Sequence, residues 1–134
     1  MARLLFIEAS PMGELSFSSR VADWFLEEYR RVNPDDLIET LNIWDAALPV
    51  FDGQGVRARY KTTRNLPLEA DEAAVWQQVK ATIEHFKSFD KYLLSVPMWN
   101  FSLPWRLKQY FDLLAHPGLT FSFSPESGYC GLVT

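Results

Sequence analysis

Four consecutive apolar residues, Leu4, Leu5, Phe6 and Ile7, open the chain and are closed off by Ser10, Pro11 and Gly13. A strand buried on both faces reads this way, and such strands belong to parallel sheets covered by helices. From about Ser18 the period becomes helical. Val21, Ala22, Phe25, Leu26 and Tyr29 share one stripe, with Asp23, Glu27, Glu28, Arg30 and Arg31 elsewhere, until Asn33-Pro34-Asp35-Asp36 ends it. Residues 37–41 alternate as a weaker strand at a sheet edge. Residues 43–66 hold Pro49, Gly53 and Gly55 without a sustained period and read as a long connection with room for one helical turn. The strongest helix covers 69–89, where Ala73, Trp76, Val79, Ile83 and Phe86 recur at three- and four-residue steps. Residues 91–96 form a third strand, closed by Pro97. A further helix runs from about Pro104, a residue suited to a first turn, to Ala115, where His116-Pro117-Gly118 stops it. Residues 119–123 alternate like a short strand.

The order β-α-β-α-β-α predicts an α/β fold, an open parallel sheet with helices on both faces, in one domain covering 1–134. At roughly 30 or more residues per βα unit, a five-stranded sheet of this kind takes well over about 150 residues. The expectation is therefore a sheet truncated after the third βα unit.

Composition narrows the classes. Hydrophobic residues are 48% and charged residues 22% of the 134, enough for a core. Aromatics reach 15%, with 5 Trp and 10 Phe, which suggests a dense core or a flat-ring ligand. Thirteen basic against 17 acidic side chains give −4, which argues against a nucleic-acid partner. One Cys makes no intrachain disulfide, and with 2 His lacking ligand spacing no metal site is predicted. The opening run lacks the length and basic start of a signal peptide, and no stretch approaches the ~20 apolar residues of a membrane span. The expectation is a soluble cytoplasmic protein.

In open α/β sheets ligands bind beyond the carboxyl ends of the strands, at the switch in strand order. With order 2-1-3, the loops after strands 1 and 3 share that crevice. The first carries Ser10, Ser16 and Ser18. Hydroxyls and free amides at a helix N-terminus, aided by the helix dipole, make an anion cradle. It is neither a Walker loop nor a G-x-G-x-x-G fingerprint. A set of neutral donors suits a permanently bound phosphomonoester such as that of FMN; alternatively, Ser16 or Ser18 is simply the helix N-cap. The second loop holds Met98, Trp99, Asn100 and Phe101, fit to edge a slot for a flat heteroaromatic ring, or else a loop whose aromatics close the core. Arg57, Arg59, Lys61 and Arg64 form a basic cluster, a solvated surface or a greeting for an anionic substrate. His116 reads as a helix C-terminal residue favoured by the dipole. No Gly-x-Ser-x-Gly elbow is present.

At these residues the sequence resembles the FMN-dependent NADH-azoreductases, quinone reductases of flavodoxin-like fold. Ser10 followed by Ser16-x-Ser18 matches that family's phosphate loop, and Pro97-Met98-Trp99-Asn100-Phe101 resembles its Pro-Met-Tyr-Asn-Phe flavin loop, with Trp for Tyr. Leu107-Lys108-Gln109-Tyr110-Phe111-Asp112, then Gly118-Leu119-Thr120-Phe121, resemble its next helix and turn. Gly131-Leu132-Val133-Thr134 resembles the residues leading to its fourth strand. Position 17 departs, with Phe17 where some members carry Gln. The family continues into further strands and a Ser/Gly-rich flavin loop, so the chain resembles its first two-thirds. The resemblance implies a homodimeric oxidoreductase in which FMN passes two electrons from NADH or NADPH to a quinone or azo compound. Ser10, Ser16 and Ser18 would hold the phosphate, Met98 to Phe101 the ring, and no side chain is nominated as catalytic. The alternatives are a flavodoxin-type electron carrier and a non-catalytic remnant.

Overall fold

A computed structural model describes residues 1–133, and the chain divides into two compact units: Met1–Ala47 with Ser88–Lys108, and Leu48–Lys87 with Gln109–Thr134. The first unit is built on β1 (Arg3–Glu8), β2 (Leu37–Asn42) and β3 (Lys91–Ser95), all parallel, in the order β2-β1-β3. The apolar run occupies the middle strand, and Leu4, Leu5, Phe6 and Ile7 are all buried. Helix α1 (Phe17–Val32) sets Ala22 and Leu26 against Leu4 and Phe6, with Tyr29, Ile38 and Leu93 packed around them. At the amino ends of the strands Asp36 accepts from the Ala2 amide (2.6 Å), the Tyr29 hydroxyl (2.6 Å) and Lys91 Nζ (3.0 Å). These donors hold its carboxyl well below the usual range. Among the described residues β2 pairs with β1 alone and lies at the edge of the sheet, as its sequence indicates.

The second unit departs from expectation in three places. The connection 43–66 contains a ten-residue helix, α2 (Gly53–Thr62). Two glycines in the first turn conceal it, since glycine is the poorest ordinary helix former. Asp52 supplies the missing signal: its Oδ1 accepts from the amides of Gln54 (2.9 Å) and Gly55 (3.3 Å). Gly55 is needed there, because a Cβ would stand 2.9 Å from the Phe51 ring. Two of the four residues in the basic cluster bind helix α3 (Ala70–Lys87). Buried Glu72 accepts from Lys61 Nζ (2.6 Å) and Arg57 Nε (3.3 Å), and the Lys61 bond leads in holding its carboxyl below the ordinary value. Only Arg59 and Arg64 of the four line an open cleft of about 400 Å³, with Phe51, Val56, Tyr60 and Pro117.

The C-terminal region holds a hairpin. Strand β4 (Phe121–Ser124) pairs antiparallel with β5 (Gly128–Gly131) across Pro125, Glu126 and Ser127, where Gly128 takes φ +70°. The alternation at 119–123 reveals half of it; β5 carries a glycine at each end and has no legible period. Gly131, read by resemblance as leading toward a further strand, closes this one, and Thr134 lies outside the described residues. Among the described residues the parallel sheet has three strands, and no helix is long and apolar enough to cross a membrane.

His116, just past helix α4 (Trp105–Leu114), also corrects the sequence reading. It is buried, edge-on to Phe51 (5.6 Å) and Trp76 (5.1 Å). Burial, reinforced by the charge of Arg59, pushes its pKa down to about 4, so the dipole does not hold a cation there. The unfolded chain takes up this proton near the ordinary value of about 6.5. Stability conferred by the neutral ring is therefore complete above that value and is lost as pH falls toward about 4, with a slope of up to about 1.4 kcal/mol per pH unit. Urea unfolding of the wild type and His116→Leu across this interval should show the steeper acid loss in the wild type. Parallel curves would refute the assignment.

Candidate functional site

Parallel pairing sets Glu8 beside Ser95, and the Ala9 amide donates to the Ser95 carbonyl at 3.0 Å. The segments that follow β1 and β3 therefore leave the sheet side by side, as order 2-1-3 requires. All seven nominated residues lie in the first unit, on these two segments.

On the first segment Ser10 is buried, and its Oγ accepts from the Met12 amide at 3.3 Å. A single 3-10 turn, Gly13–Leu15, starts at Gly13 with φ +55° and delivers the chain to α1. Ser16 is the N-cap: its Oγ accepts from the Ser19 amide at 3.2 Å and shares a hydrogen bond with Ser18 Oγ at 3.1 Å. The capping role of Ser16 is real, and it coexists with a hydroxyl cluster at the helix start. The Phe17 and Ser18 amides have no acceptor among the described residues. Two further hydroxyls were not singled out from the sequence. Ser19 Oγ in the first turn of α1 and Ser95 Oγ at the end of β3 are buried and lack a hydrogen-bond partner among the described residues. Leaving such a group unpaired costs about 1–3 kcal/mol, a debt that a polar ligand can cancel.

The second segment turns sharply. The Trp99 amide donates to the Ser102 carbonyl (2.8 Å) and the Ser102 amide returns the bond (2.9 Å), while Asn100 and Phe101 take φ +48° and +61°. Positive φ at both central positions is the signature of a type I′ turn. Asparagine tolerates that region, but a bulky aromatic does not adopt it without strain. Phe101 is nevertheless 97% exposed and Met98 74%, so neither closes the core. The core-closing alternative falls for these two. Trp99 is half-buried, and its ring meets Trp44 at 5.6 Å.

Trp44 itself escaped sequence reading, because the aperiodic stretch 43–66 gave no reason to place it near the two loops. Its Nε1 donates to the Ala9 carbonyl at 2.9 Å. Alongside β3 and α1 runs a groove of about 480 Å³, lined by Phe17, Ser18, Val21, Phe25, Leu94 and Val96. Chemically, the first segment offers neutral hydroxyl and amide donors to an oxyanion. The second presents an amide side chain and exposed apolar groups to a flat ring. Among the described residues no group of His, Cys, Asp or Glu is placed to hold a metal ion.

Comparison with known proteins gives a consistent set of relatives. A family model described as "Flavodoxin-like fold" matches residues 2–133. The FMN-dependent NADH:quinone oxidoreductase of Nitratidesulfovibrio vulgaris strain DP4 is 50% identical over 134 residues, which is all of this chain and 64% of that protein. The protein of the same name from Desulfotalea psychrophila is 50% identical over 135 residues, covering 63% of its own length. Among solved structures, the azoreductase of Bacillus anthracis str. Sterne superposes with a TM-score of 0.88 at 28% identity, covering 99% of this chain and 64% of that one. An FMN-dependent NADH-azoreductase from Bacillus anthracis str. Ames Ancestor, in complex with FMN, gives 0.86 at 29% identity, with 99% and 64% covered. The chain thus spans slightly under two-thirds of the length of these relatives.

Proposed function

The chain belongs to the family with the flavodoxin-like fold, and from that premise we propose that it acts as an FMN-dependent oxidoreductase, passing two electrons from NADH or NADPH to a quinone or azo compound. The observation that carries the reading is the convergence of two unusual loops at the carboxyl ends of neighbouring parallel strands, one leading serine hydroxyls to a helix N-terminus, the other strained and exposed. The names of relatives at 50% identity support the same chemistry. The family model matches residues 2–133, which supports reading the chain as one flavodoxin-like domain. The working form is a cytoplasmic homodimer.

The residues present fit FMN. Ser10, Ser16 and Ser18, with the amides of Phe17 and Ser18, make a donor set for a phosphomonoester, and the orphaned hydroxyls of Ser19 and Ser95 mark buried polar capacity beside it. Met98, Trp99, Asn100 and Phe101 would hold its ring. Bound there, FMN supplies the two-electron chemistry. The chain's part is to bind the phosphate, orient the ring against the turn, offer Asn100 as donor and acceptor, and keep water away with exposed Met98 and Phe101.

If Phe101 is strained for this purpose, stability and binding should respond in opposite directions. Phe101→Gly removes an exposed side chain from a left-handed position. It should raise unfolding free energy by up to about 1 kcal/mol while weakening FMN binding. A variant that binds FMN as tightly as the wild type would remove Phe101 from the ring site.

The decisive experiment is an absorbance spectrum of the purified full-length protein, followed by steady-state NADH consumption with menadione. A flavin band and turnover are expected. A flavin band without turnover would leave an electron carrier, and a colourless protein that takes up no added FMN would overturn the reading.

A further inference from the structure

Trp44 occupies an unusual crossing point. It lies two residues past β2, the strand on the side of β1 away from β3, yet it touches both segments of the candidate site. Its Nε1 donates to the carbonyl of Ala9, the residue immediately before Ser10, at 2.9 Å. Its ring lies 5.6 Å from that of Trp99, tilted by 39°, on the residue that opens the strained turn. Trp105 closes the group edge-on at 5.6 Å.

The residue is itself held. Its amide donates to Asn42 Oδ1 (2.9 Å), and the Arg106 guanidinium binds the Ile43 carbonyl (2.9 Å) and the Ala46 carbonyl (2.8 Å) on either side. Ala9 is consequently fixed at both backbone groups, its amide by Ser95 and its carbonyl by Trp44. A left-handed turn at Asn100 and Phe101 persists only where its surroundings over-determine it, and Trp99 is its one half-buried aromatic anchor.

We propose that Trp44 is a positioning residue that clamps the Ser10 segment and the Trp99–Ser102 turn into one preorganised site. Its consequence for ligand binding rests on the FMN reading given above; the clamp itself does not. Preorganisation raises affinity by removing the cost of ordering two loops at the moment of binding. The indole N–H serves the phosphate side and the ring serves the flavin side, so the two contributions separate by mutation.

Trp44→Phe keeps a ring beside Trp99 and removes the N–H donor; Trp44→Leu removes both. In the full-length protein, FMN and riboflavin affinities are measured by flavin-fluorescence quenching. Amide hydrogen exchange is followed at residues 9–12 and 99–102 in flavin-free protein. With Trp44→Phe, FMN affinity should fall about tenfold, the loss of one hydrogen bond, with riboflavin unchanged and exchange faster at 9–12 only. With Trp44→Leu, both flavins should weaken and both segments exchange faster. A residue that merely fills space would lower FMN and riboflavin affinity alike in Trp44→Phe and leave exchange at 9–12 unaltered, and that result overturns the proposal. Should Trp44→Leu fail to fold, Trp44→Phe alone decides. A wild type that binds neither flavin would fell the FMN reading, while the exchange comparison would still judge the clamp.

Discussion

Replacing Ser10 and Ser18 together by alanine in the full-length protein should lower FMN affinity by about two to four orders of magnitude. A dianionic phosphate loses two charge-assisted hydrogen bonds, each worth about 1.5–3 kcal/mol. Among the described residues Ser10 Oγ is engaged by the Met12 amide alone, at 3.3 Å, and Ser18 Oγ by Ser16 alone, so both can turn to an oxyanion at little cost. Ser16 is left in place because it caps α1. Its loss would cost about 1 kcal/mol of helix stability and confuse binding with folding. Riboflavin lacks the phosphate and should bind the wild type less well and be insensitive to the double substitution. Unchanged FMN affinity would remove these serines from the site. An equal loss for both flavins would point instead to damage of the ring slot.

A polypeptide made of these 134 residues alone should self-associate at micromolar concentration. Among the described residues β3 pairs with β1 alone, which leaves its other side as an edge. Along Tyr92, Leu93, Leu94, Ser95 and Val96 there is no charge, proline or glycine, the devices that usually blunt an edge. Leu94 (39% exposed) and Val96 (40%) face solvent, and α1 adds Phe17 (80%), Val21 (61%) and Phe25 (49%) to the same groove. Unpaired strand groups of this kind cost about 1 kcal/mol or more each when half-buried, against the ~5–15 kcal/mol of a small domain. Sedimentation velocity should show oligomers, and Leu94→Lys, which places a charge on the edge, should shift the population toward monomer. A monodisperse wild-type monomer that melts cooperatively with one FMN bound would refute the prediction.

Much of this arrangement was open to reading along the chain, for a local reason. Four apolar residues in a row closed off by serine, proline and glycine match a short strand buried on both faces, and the three- and four-residue steps at Val21–Tyr29 and Ala73–Phe86 match helices. Serine and proline at the strand ends then mark the two loops, and their meeting follows from the parallel order 2-1-3. The capping by Ser16 is likewise legible in the sequence, because N-caps are short-range chemistry.

Other features depend on partners far along the chain and leave no local trace. Helix α2 survives two glycines because Asp52 caps it and Glu72, 11 residues beyond Lys61, binds its basic side chains. His116 loses its charge because Phe51 and Trp76 surround it, although its place after a helix suggests a stabilised cation. Strand β5 has no period of its own and exists because β4 offers it hydrogen bonds. The strain at Phe101 is invisible in the letters Trp-Asn-Phe-Ser and requires a turn closed at both ends. Trp44 reaches Ala9 across 35 positions only because β2 and β1 lie side by side. Periodicity and capping are properties of neighbours in sequence, and they sufficed for strands, helices and the serine loop. Burial, strain and cross-loop contacts are properties of neighbours in space, which no stretch of residues carries alone.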